Sequence, residues 1–359
     1  MFFDSRQFFY SYLVAFTFWV SVGLGALFFT MLHHLVSASW SVVLRRMFEN
    51  VMIALPLLIV FFIPIAFGMG NLYAWTHADK VAVDHLLQDK TGFLNSGFFL
   101  ARTLVYFAIW SIIAYLAYKL SLRQDQAHSE ALTAKMKRVS APGMILLAVT
   151  LTFAAWDWLM SLDARWFSTI FGVYYFAGSA LSALAVVTLI AIYLRNKQVL
   201  VNQITPEHYH DLAKLLFSFT VFWAYMAFSQ YFLIWYANIP EETIWFQHRW
   251  TGSWKTISLF LVIGHFVVPF LVLISRAAKR STGVLAFAGL WLLFMHWIDL
   301  NWLVMPNLHP HGFQLSWMDL TTVIGIGGVF LALVWKRLCA QPLVPINDPK
   351  LSESIEFVN

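Results

Sequence analysis

Cysteine is almost absent from this sequence. Cys339 is the single cysteine among 359 residues. One thiol excludes internal disulfides, iron–sulfur clusters held by several cysteines, and a haem attached covalently through a pair of cysteines. The nucleotide-binding signature G-x-x-x-x-G-K is also missing, which removes a loop that would cradle phosphates. The sequence therefore predicts no metal site and no redox cofactor bound through cysteine.

Charged residues are scarce as well. They make up 11% of the chain, whereas soluble domains carry roughly 25%. Hydrophobic residues reach 60%, with 34 Phe and 17 Trp, and the mean hydropathy is +0.70. Aromatic side chains are typical of membrane helices, where they pack in lipid and anchor helix ends at the membrane–water interface. These values exclude a soluble domain and predict a multi-pass membrane protein.

Nine apolar segments are long enough, at about 20 residues, to cross a bilayer core. The sequence therefore predicts an all-α polytopic fold with a single transmembrane domain over residues 1–340 and a cytoplasmic tail over 341–359. We expect the polar tail to lie along a partner or to be disordered. The predicted helices lie near residues 11–34, 50–70, 97–119, 143–162, 167–194, 212–236, 255–275, 283–305 and 321–338.

The loop charges predict the orientation. Sixteen Lys and Arg residues fall on one side of the predicted bundle and six on the other, in alternating loops. Because positive loops stay in the cytoplasm, we expect the N-terminus outside and the C-terminus inside. The net charge of +5 is explained by this asymmetry, so no nucleic-acid partner is predicted.

Several polar side chains fall inside the predicted helices, where a charge costs several kcal/mol unless something offsets it. Asp157 lies between Trp156 and Trp158 in an otherwise apolar stretch. By predicted depth, these side chains form a broken ladder across the bilayer: Arg102, Asp157, His296 and Asp299 in the outer third, His265 and Tyr225 near the centre, Gln230 somewhat further out, and Glu49, Asp211 and Lys214 at the cytoplasmic ends.

Two interpretations of this ladder compete. In the functional one, carboxylates and imidazoles bridged by water carry protons, or hold a quinol headgroup whose hydroxyls need a proton acceptor. In the structural one, Arg102 neutralises Asp157, and His296 and Asp299 satisfy each other on one helix face. The remaining polar residues then cap helix ends.

Haem binding is disfavoured by the histidine pattern. Two axial imidazoles must lie at matching depth on facing helices. Only His265 and His296 lie well inside the predicted membrane, and their depths differ. His33 and His34 are adjacent at a cytoplasmic helix end, where we expect them to be interfacial.

Four stretches of sequence resemble a known family. They are YLVAFTFWVSVGLGALFFTMLHHL with WSVVLRR, DWLMSLDARWFSTIFGVYYFAGS, DLAKLLFSFTVFWAYMAFSQYFLIWYANIPEET and HWIDLNWLVMP. They resemble the second NrfD-like integral membrane subunit of alternative complex III, a bacterial quinol:cytochrome c oxidoreductase unrelated to the bc1 complex. The stretches span much of residues 10–305, and YANIPEE is the most specific string.

The resemblance implies an NrfD-like (polysulfide-reductase-type) fold of two four-helix bundles in the bacterial inner membrane. It implies no redox cofactor in this chain, with a quinone or menaquinone bound nearby and iron–sulfur clusters and c-type haems in partner subunits. The implied partners are a paralogous NrfD-like subunit, iron–sulfur and multihaem cytochrome c subunits, a terminal oxidase, and lipids. Such subunits usually have ten helices and nine are predicted here, a departure that puts the peripheral contacts in question.

The family motifs contain most of the ladder. Asp157 matches the aspartate of the D-W/F-x-x-S stretch, and Asp299 matches that of H-W-x-D-L. The motif on the sixth predicted helix and the external turn after it contain the remaining matches: Asp211, Lys214, Tyr225 and Gln230, then Glu241 and Glu242.

The sequence thus predicts a non-catalytic membrane subunit of a respiratory or photosynthetic quinol:electron-acceptor oxidoreductase. It would brace the complex and relay protons between the cytoplasmic set and the outer set of the ladder. On this hypothesis Asp157→Asn leaves assembly intact and impairs coupled turnover. Two rivals stay open: a quinol-binding subunit with Asp157, Arg102 and His296 around the headgroup, and a secondary transporter or ion channel. A transporter would favour matched broken helices, and no clear pair is evident.

Overall fold

The computed structural model describes residues 4–127 and 129–358, and all regular structure within these ranges is helical. This part of the chain contains nine stretches long and apolar enough to cross a membrane, as predicted. We number them spans 1 to 9 in chain order: Ser5–Val36, Val42–Phe67, Ser96–Gln124, Glu130–Trp158, Phe171–Asn196, Pro206–Ala237, Trp254–Leu273, Thr282–Asn307 and Trp317–Ala340.

Three spans are interrupted. Span 2 consists of two helices, Val42–Met52 and Leu55–Phe67. Span 8 is helical over Thr282–Val304 and ends in a 3₁₀ turn at Met305–Asn307. Span 7 consists of Trp254–Leu261, a π-helical segment at Val262–Val267, and Val268–Leu273.

Short helices lie outside the spans. The connection between spans 2 and 3 holds several of them. The α-helices outside the spans are Met69–Leu72, Ala78–Val83, His85–Asp89, Pro240–His248, Arg276–Arg280 and Leu351–Ile355, and the 3₁₀ helices are Ala74–Thr76 and Met160–Asp163.

Several spans begin earlier than predicted because a helix can extend beyond the apolar segment from which it was predicted. Span 1 begins at Ser5, where Asp4 accepts hydrogen bonds from the backbone of Arg6 at 2.9 Å and Gln7 at 3.4 Å. Such an N-cap satisfies amide groups that the helix leaves free. Span 4 begins at Glu130, so its first turns are polar and extend beyond the apolar stretch.

The spans pack as two rings of four. Spans 1 to 4 contact one another in order and close on span 1, and spans 5 to 8 do the same around span 5. Spans 1 and 5 join the two rings, and span 9 packs on span 1. In its most apolar window span 1 is 94% buried, against 28% for span 7. The first span is therefore a central helix surrounded by protein.

The joint between spans 1 and 5 is a close backbone approach. A Cβ added at Gly25 would lie 2.0 Å from the carbonyl oxygen of Ser179. Only a residue without a side chain permits this separation, which is the reason that small residues are favoured where membrane helices cross.

The C-terminal tail folds back onto its own chain. It covers the end of the bundle formed by the connections between spans 1 and 2, 3 and 4, 5 and 6, and 7 and 8, which we call the basic end. Arg45 donates to Asp348 at 2.5 Å, and Ser354 in the helix Leu351–Ile355 donates to the carbonyl of Trp40 at 2.9 Å. The expectation of a disordered tail is therefore wrong, and contact of the tail with a partner stays a prediction.

Candidate functional site

Asp157 forms a closed ion pair with Arg102. The two side chains lie on spans 4 and 3 and are 0% and 8% exposed. Arg102 donates from Nε to Oδ2 at 2.9 Å and from Nη2 to Oδ1 at 2.7 Å, and Tyr106 donates to Oδ2 at 2.7 Å. A bidentate guanidinium is the strongest partner that a carboxylate finds in a protein. Both carboxylate oxygens of Asp157 are thus held by fixed donors.

The rest of the Arg102 side chain is also fixed. Its Nη1 donates to the carbonyl of Phe93 at 2.8 Å. The guanidinium carbon lies 3.8 Å from the centre of the Phe93 ring and 4.3 Å from that of Phe98. Each guanidinium nitrogen therefore has an acceptor, and two rings stabilise the cation.

Asp299 has a different environment. It is 2% exposed on span 8 and accepts hydrogen bonds from Tyr174 on span 5 and from Trp223 on span 6, the latter at 3.1 Å. Among the described residues, no cationic side chain forms an ion pair with it. The donors of Asp299 are neutral, so its charge is not matched by a fixed positive charge.

His265 lies in the π-helical segment of span 7 and is connected to this site through Trp223, which donates to Asp299. Its ring stacks on the Trp223 ring with centroids 3.8 Å apart, and it is fully buried. Neither ring nitrogen has a hydrogen-bond partner within the described protein. Trp291 donates to the carbonyl of Gly264 at 2.7 Å, which satisfies one carbonyl where the regular helical pattern is broken. π-Bulges of this kind are frequent at functional sites.

His296 lies on span 8, one helical turn before Asp299. Its Nε2 lies 2.9 Å from the hydroxyl of Ser21 on span 1, while Nδ1 has no partner within the described protein. A Cβ at Gly178 would lie 2.6 Å from the imidazole, so this glycine makes room for the ring. The interpretation in which His296 and Asp299 satisfy each other is wrong, because each bonds elsewhere.

Spans 7 and 8 contain several buried polar atoms without a protein partner among the described residues, and other such atoms lie elsewhere, for example His34 Nε2 and Asn50 Nδ2. Buried polar groups in proteins are almost always hydrogen-bonded, commonly to internal water. We call the group on spans 7 and 8, together with Asp299, the span 7–8 cluster. Its unpartnered atoms in the described structure are His265 Nδ1 and Nε2, His296 Nδ1, Trp297 Nε1 and Asn301 Oδ1.

Two other members of the predicted ladder lie apart. Tyr225 is 62% exposed and faces away from the protein interior. Gln230 is buried and accepts from Ser168 at 3.1 Å. The structure does not bring Tyr225 into contact with the buried acids, because its side chain leaves span 6 on the outer face.

Glu49 lies at the centre of a charge network at the basic end. It is fully buried between Arg45 at 3.1 Å and Arg46 at 3.2 Å, and it accepts from Ser121 at 2.8 Å. The two arginines also bind carboxylates outside the spans: Arg45 binds Asp348, and Arg46 binds Asp125 at 2.7 Å.

These contacts join the tail to spans 2 and 3. Burial raises the pKa of Asp125, and the neighbouring Arg46 opposes that shift. The network holds charges of both signs in close contact, which is the arrangement that buried charges require. His33 and His34, expected at the interface, are buried beside it at 9% and 5% exposure.

The remaining pair at the basic end is more exposed. Asp211 forms an ion pair with Lys214 one turn along span 6. The Lys214 side chain is 44% exposed, whereas Asp211 is 8% exposed. This geometry is that of a helix-end ion pair close to the surface.

Some important residues were missed by sequence reasoning. Tyr174 and Trp223 were not selected, because no spacing in the sequence marks them as donors to Asp299. Asp319 was also missed, although Ser316 three residues earlier forms a capping box with it that the sequence could have indicated.

Arg249 is one of the six basic residues on the less basic side of the bundle, and its burial was not predicted. It is 3% exposed, and its guanidinium stacks on Trp245 at 3.3 Å. It donates to the carbonyls of Trp302 at 3.1 Å and Leu303 at 2.8 Å, near the end of span 8. Burial lowers its pKa to about 9. Its role is to satisfy helix-terminal carbonyls.

Comparisons with known proteins place this chain in no family. No protein-family model matches the sequence, and a search of curated proteins finds no match. Within the described residues, no group of three or more His, Cys, Asp or Glu side chains is arranged to hold a metal ion. The resemblance to alternative complex III stays a prediction.

Proposed function

We propose that this chain is a membrane subunit of a quinol:electron-acceptor oxidoreductase of the alternative complex III type, and that it moves protons through Asp299. The four resembling stretches support membership of such a complex. The observation that carries the proton role is the environment of Asp299: a buried carboxyl group with two neutral donors, in the same cluster as histidine nitrogens that have no protein partner.

A proton carrier must be able to gain and lose charge inside the protein. Asp157 is unsuited to this, because protonating it would leave Arg102 as a buried cation without its counter-ion, and breaking a buried pair costs about 3–5 kcal/mol. Asp299 carries no such restriction. Of the two carboxyl groups, only Asp299 can change protonation state without stranding a charge.

The span 7–8 cluster supports a hydrated route. Water that satisfies the ring nitrogens of His265 and His296 would bring exchangeable protons next to Asp299, and chains of this kind are typical of proton relays in membranes. Trp297 and Asn301 add further unpartnered atoms toward the end of span 8 away from the basic end. Arg102, Asp157 and Glu49 are then assigned to bracing the fold.

The finer structural expectations belong to the same proposal. The two rings of four spans support the NrfD-like fold with two four-helix bundles. The excess of Lys and Arg at the basic end supports a cytoplasmic location for that end, in a bacterial inner membrane. The chain has no redox cofactor in this proposal, and electrons pass through iron–sulfur and multihaem partners.

Copurification tests the assignment to a complex. A tagged chain solubilised from its native membrane should bring down subunits that stain for haem and give iron–sulfur signals in electron paramagnetic resonance. Recovery of the chain alone, with transport activity after reconstitution, would favour the rival class of secondary transporters.

The proton role is tested in the intact complex with Asp299→Asn. We expect electron transfer to continue while proton release per electron falls. Asp319→Asn is the matched control, because Asp319 is also 2% exposed and accepts hydrogen bonds from the neutral groups of Gln7, Ser11 and Ser316 outside the span 7–8 cluster. Unchanged proton release in Asp299→Asn, or an equal loss in Asp319→Asn, would refute the role of Asp299.

A further inference from the structure

A cavity of about 460 Å³ opens at the basic end, away from the span 7–8 cluster. Its walls are the end of span 1, the beginnings of spans 2 and 4, and the C-terminal tail. The lining side chains used below are His34, Arg45, Met136, Lys137, Asp348 and Lys350. This volume lies within the range of about 300–1,000 Å³ for small-molecule sites.

The cavity presents unused hydrogen-bond donors. Lys137 forms no ion pair with any described residue. Lys350 donates from Nζ to the carbonyl of Ser37 at 2.7 Å, which leaves other N–H groups of the ammonium. His34 is 5% exposed; its Nδ1 lies 3.1 Å from Ser140, and Nε2 is buried without a partner in the described structure.

The Asp348 carboxylate in the cavity is already engaged. Asp348 accepts from Arg45 through Oδ2 at 2.5 Å and from the backbone amide of Lys350 through Oδ1 at 2.9 Å. The second carboxylate, Glu130, lies exposed at the rim. Two ammonium groups with free N–H donors beside an engaged carboxylate favour an acceptor-rich anion, and phosphate oxygens provide such acceptors.

The surroundings are those of a membrane surface. Val36, next to the lining residue Ser37, is 61% exposed, and Ala38, Val42 and Met136 contribute apolar wall. A phosphate headgroup could occupy the cavity while its acyl chains lie along the spans, and basic pockets between membrane helices bind anionic headgroups in this way.

We propose that this cavity binds a phosphate group, either as the headgroup of an anionic phospholipid or as a soluble phosphate ester, with Lys137 and Lys350 as its charged ligands and the tail as one wall. The tail contacts between Asp348 and Arg45 hold that wall in place. The proposal does not depend on the proton role of Asp299 or on the assignment to a complex.

The experiment measures thermal stabilisation of the delipidated full-length chain in detergent. The probes are phosphatidylglycerol, phosphatidylcholine, glycerol 3-phosphate and inorganic phosphate. We compare Lys137→Gln with Lys135→Gln, a matched control on an exposed side chain of the same helix that does not line the cavity. Stabilisation by phosphatidylglycerol but not phosphatidylcholine identifies a lipid site, and stabilisation by glycerol 3-phosphate or phosphate at similar concentration identifies a soluble ligand.

In either case we expect Lys137→Gln to weaken binding about tenfold, the effect of losing one charge-assisted hydrogen bond, while Lys135→Gln binds as the parent does. A second variant, Lys350→Gln, should weaken binding as well. The proposal is overturned if no phosphate probe stabilises the chain more than phosphatidylcholine does, or if Lys135→Gln and Lys137→Gln behave alike.

Discussion

Two buried aspartates of this chain occupy opposite kinds of environment. Asp157 on span 4 is bound by a bidentate arginine and a tyrosine, whereas Asp299 on span 8 is bound by a tyrosine and a tryptophan only. Both are almost fully buried. The difference shows that a carboxyl group at membrane depth can be part of the scaffold or a titratable group, and that its donors decide which.

The histidines repeat this contrast. His33 at the basic end lies 2.7 Å from the Ser41 hydroxyl and 3.5 Å from Arg45, so both of its nitrogens have partners. His265 has none among the described residues. Buried polar atoms without a protein partner are commonly satisfied by internal water; His265 has two such atoms, whereas His33 has none. The comparison therefore separates a histidine that is hydrogen-bonded through both nitrogens from one that is held by ring stacking.

The largest expected loss of stability is that of Asp157→Asn, a substitution that would leave Arg102 with a neutral partner. We expect it to lower the free energy of unfolding by about 3–5 kcal/mol, because a buried cation loses its counter-ion. This reverses the expectation from sequence that the variant assembles normally. Unfolding in mixed detergent micelles measures the loss.

The double variant Arg102→Met with Asp157→Leu sharpens that prediction. Replacing both charges by apolar groups should recover most of the lost stability, since an apolar pair of similar volume is often neutral or better. If the double variant is no more stable than Asp157→Asn, the ion-pair explanation fails.

The second largest expected loss of stability is that of Gly178→Ala, which tests the packing around His296. The new methyl group would lie 2.6 Å from the His296 imidazole, so the ring must shift. We expect a loss of about 1–3 kcal/mol, the usual cost of overpacking, measured by the same unfolding method. Gly325→Ala on span 9 is the control, because nothing lies within 4 Å of its added Cβ; equal losses in both would contradict the packing argument.

Asp299→Asn should change stability much less than Asp157→Asn does. The amide retains an acceptor for Tyr174 or Trp223 and strands no cation, so we expect a loss of about 1 kcal/mol, the scale of one hydrogen bond. A loss as large as that of Asp157→Asn would mean that Asp299 is also a scaffold charge. Infrared spectroscopy of the unmodified protein should show a carboxyl band that disappears in Asp299→Asn and in no other variant.

The smallest expected effect on stability concerns a surface ion pair, in which Arg165 Nη2 lies 2.8 Å from Asp84 Oδ2. The hydrogen bond from Arg165 lowers the pKa of Asp84 below its ordinary 3.8. Its contribution to stability is therefore present above pH 3.8 and is lost as the pH falls through the lowered pKa. Arg165→Gln should slightly weaken stability near neutral pH and have no effect in strong acid. An equal effect at both pH values would contradict this assignment.

The limits of sequence reasoning are clearest in these same residues. The depth and rarity of Asp157 and Asp299 could be read from hydropathy, and both were selected on that ground. The structural interpretation named Arg102 as the partner of Asp157, and the ion pair confirms it. The donors to Asp299 could not be read, because Tyr174 and Trp223 come from other spans and approach only when the bundle forms. Tyr225 was selected for its depth, but the rotation of span 6 turns it outward.

The tail illustrates a second limit. Its polarity indicated that it lies outside the membrane, but no local pattern shows that Asp348 reaches Arg45. That ion pair joins residues separated by most of the chain, so it depends on where spans 1 and 2 meet the C-terminus. The broken ladder predicted from depth is thus divided into a charge network at the basic end, a closed ion pair and the span 7–8 cluster.

Composition and the spacing of apolar segments alone determined that the chain is helical and has nine stretches able to cross a membrane, because only a helix satisfies its own backbone in lipid. Tertiary structure alone decided which buried acid is neutralised, which histidine nitrogens stay unpartnered and where the tail binds. The physical reason is that the hydropathy of a segment depends on that segment alone. Hydrogen bonds and ion pairs act over a few ångströms, between segments that only the packed bundle brings together.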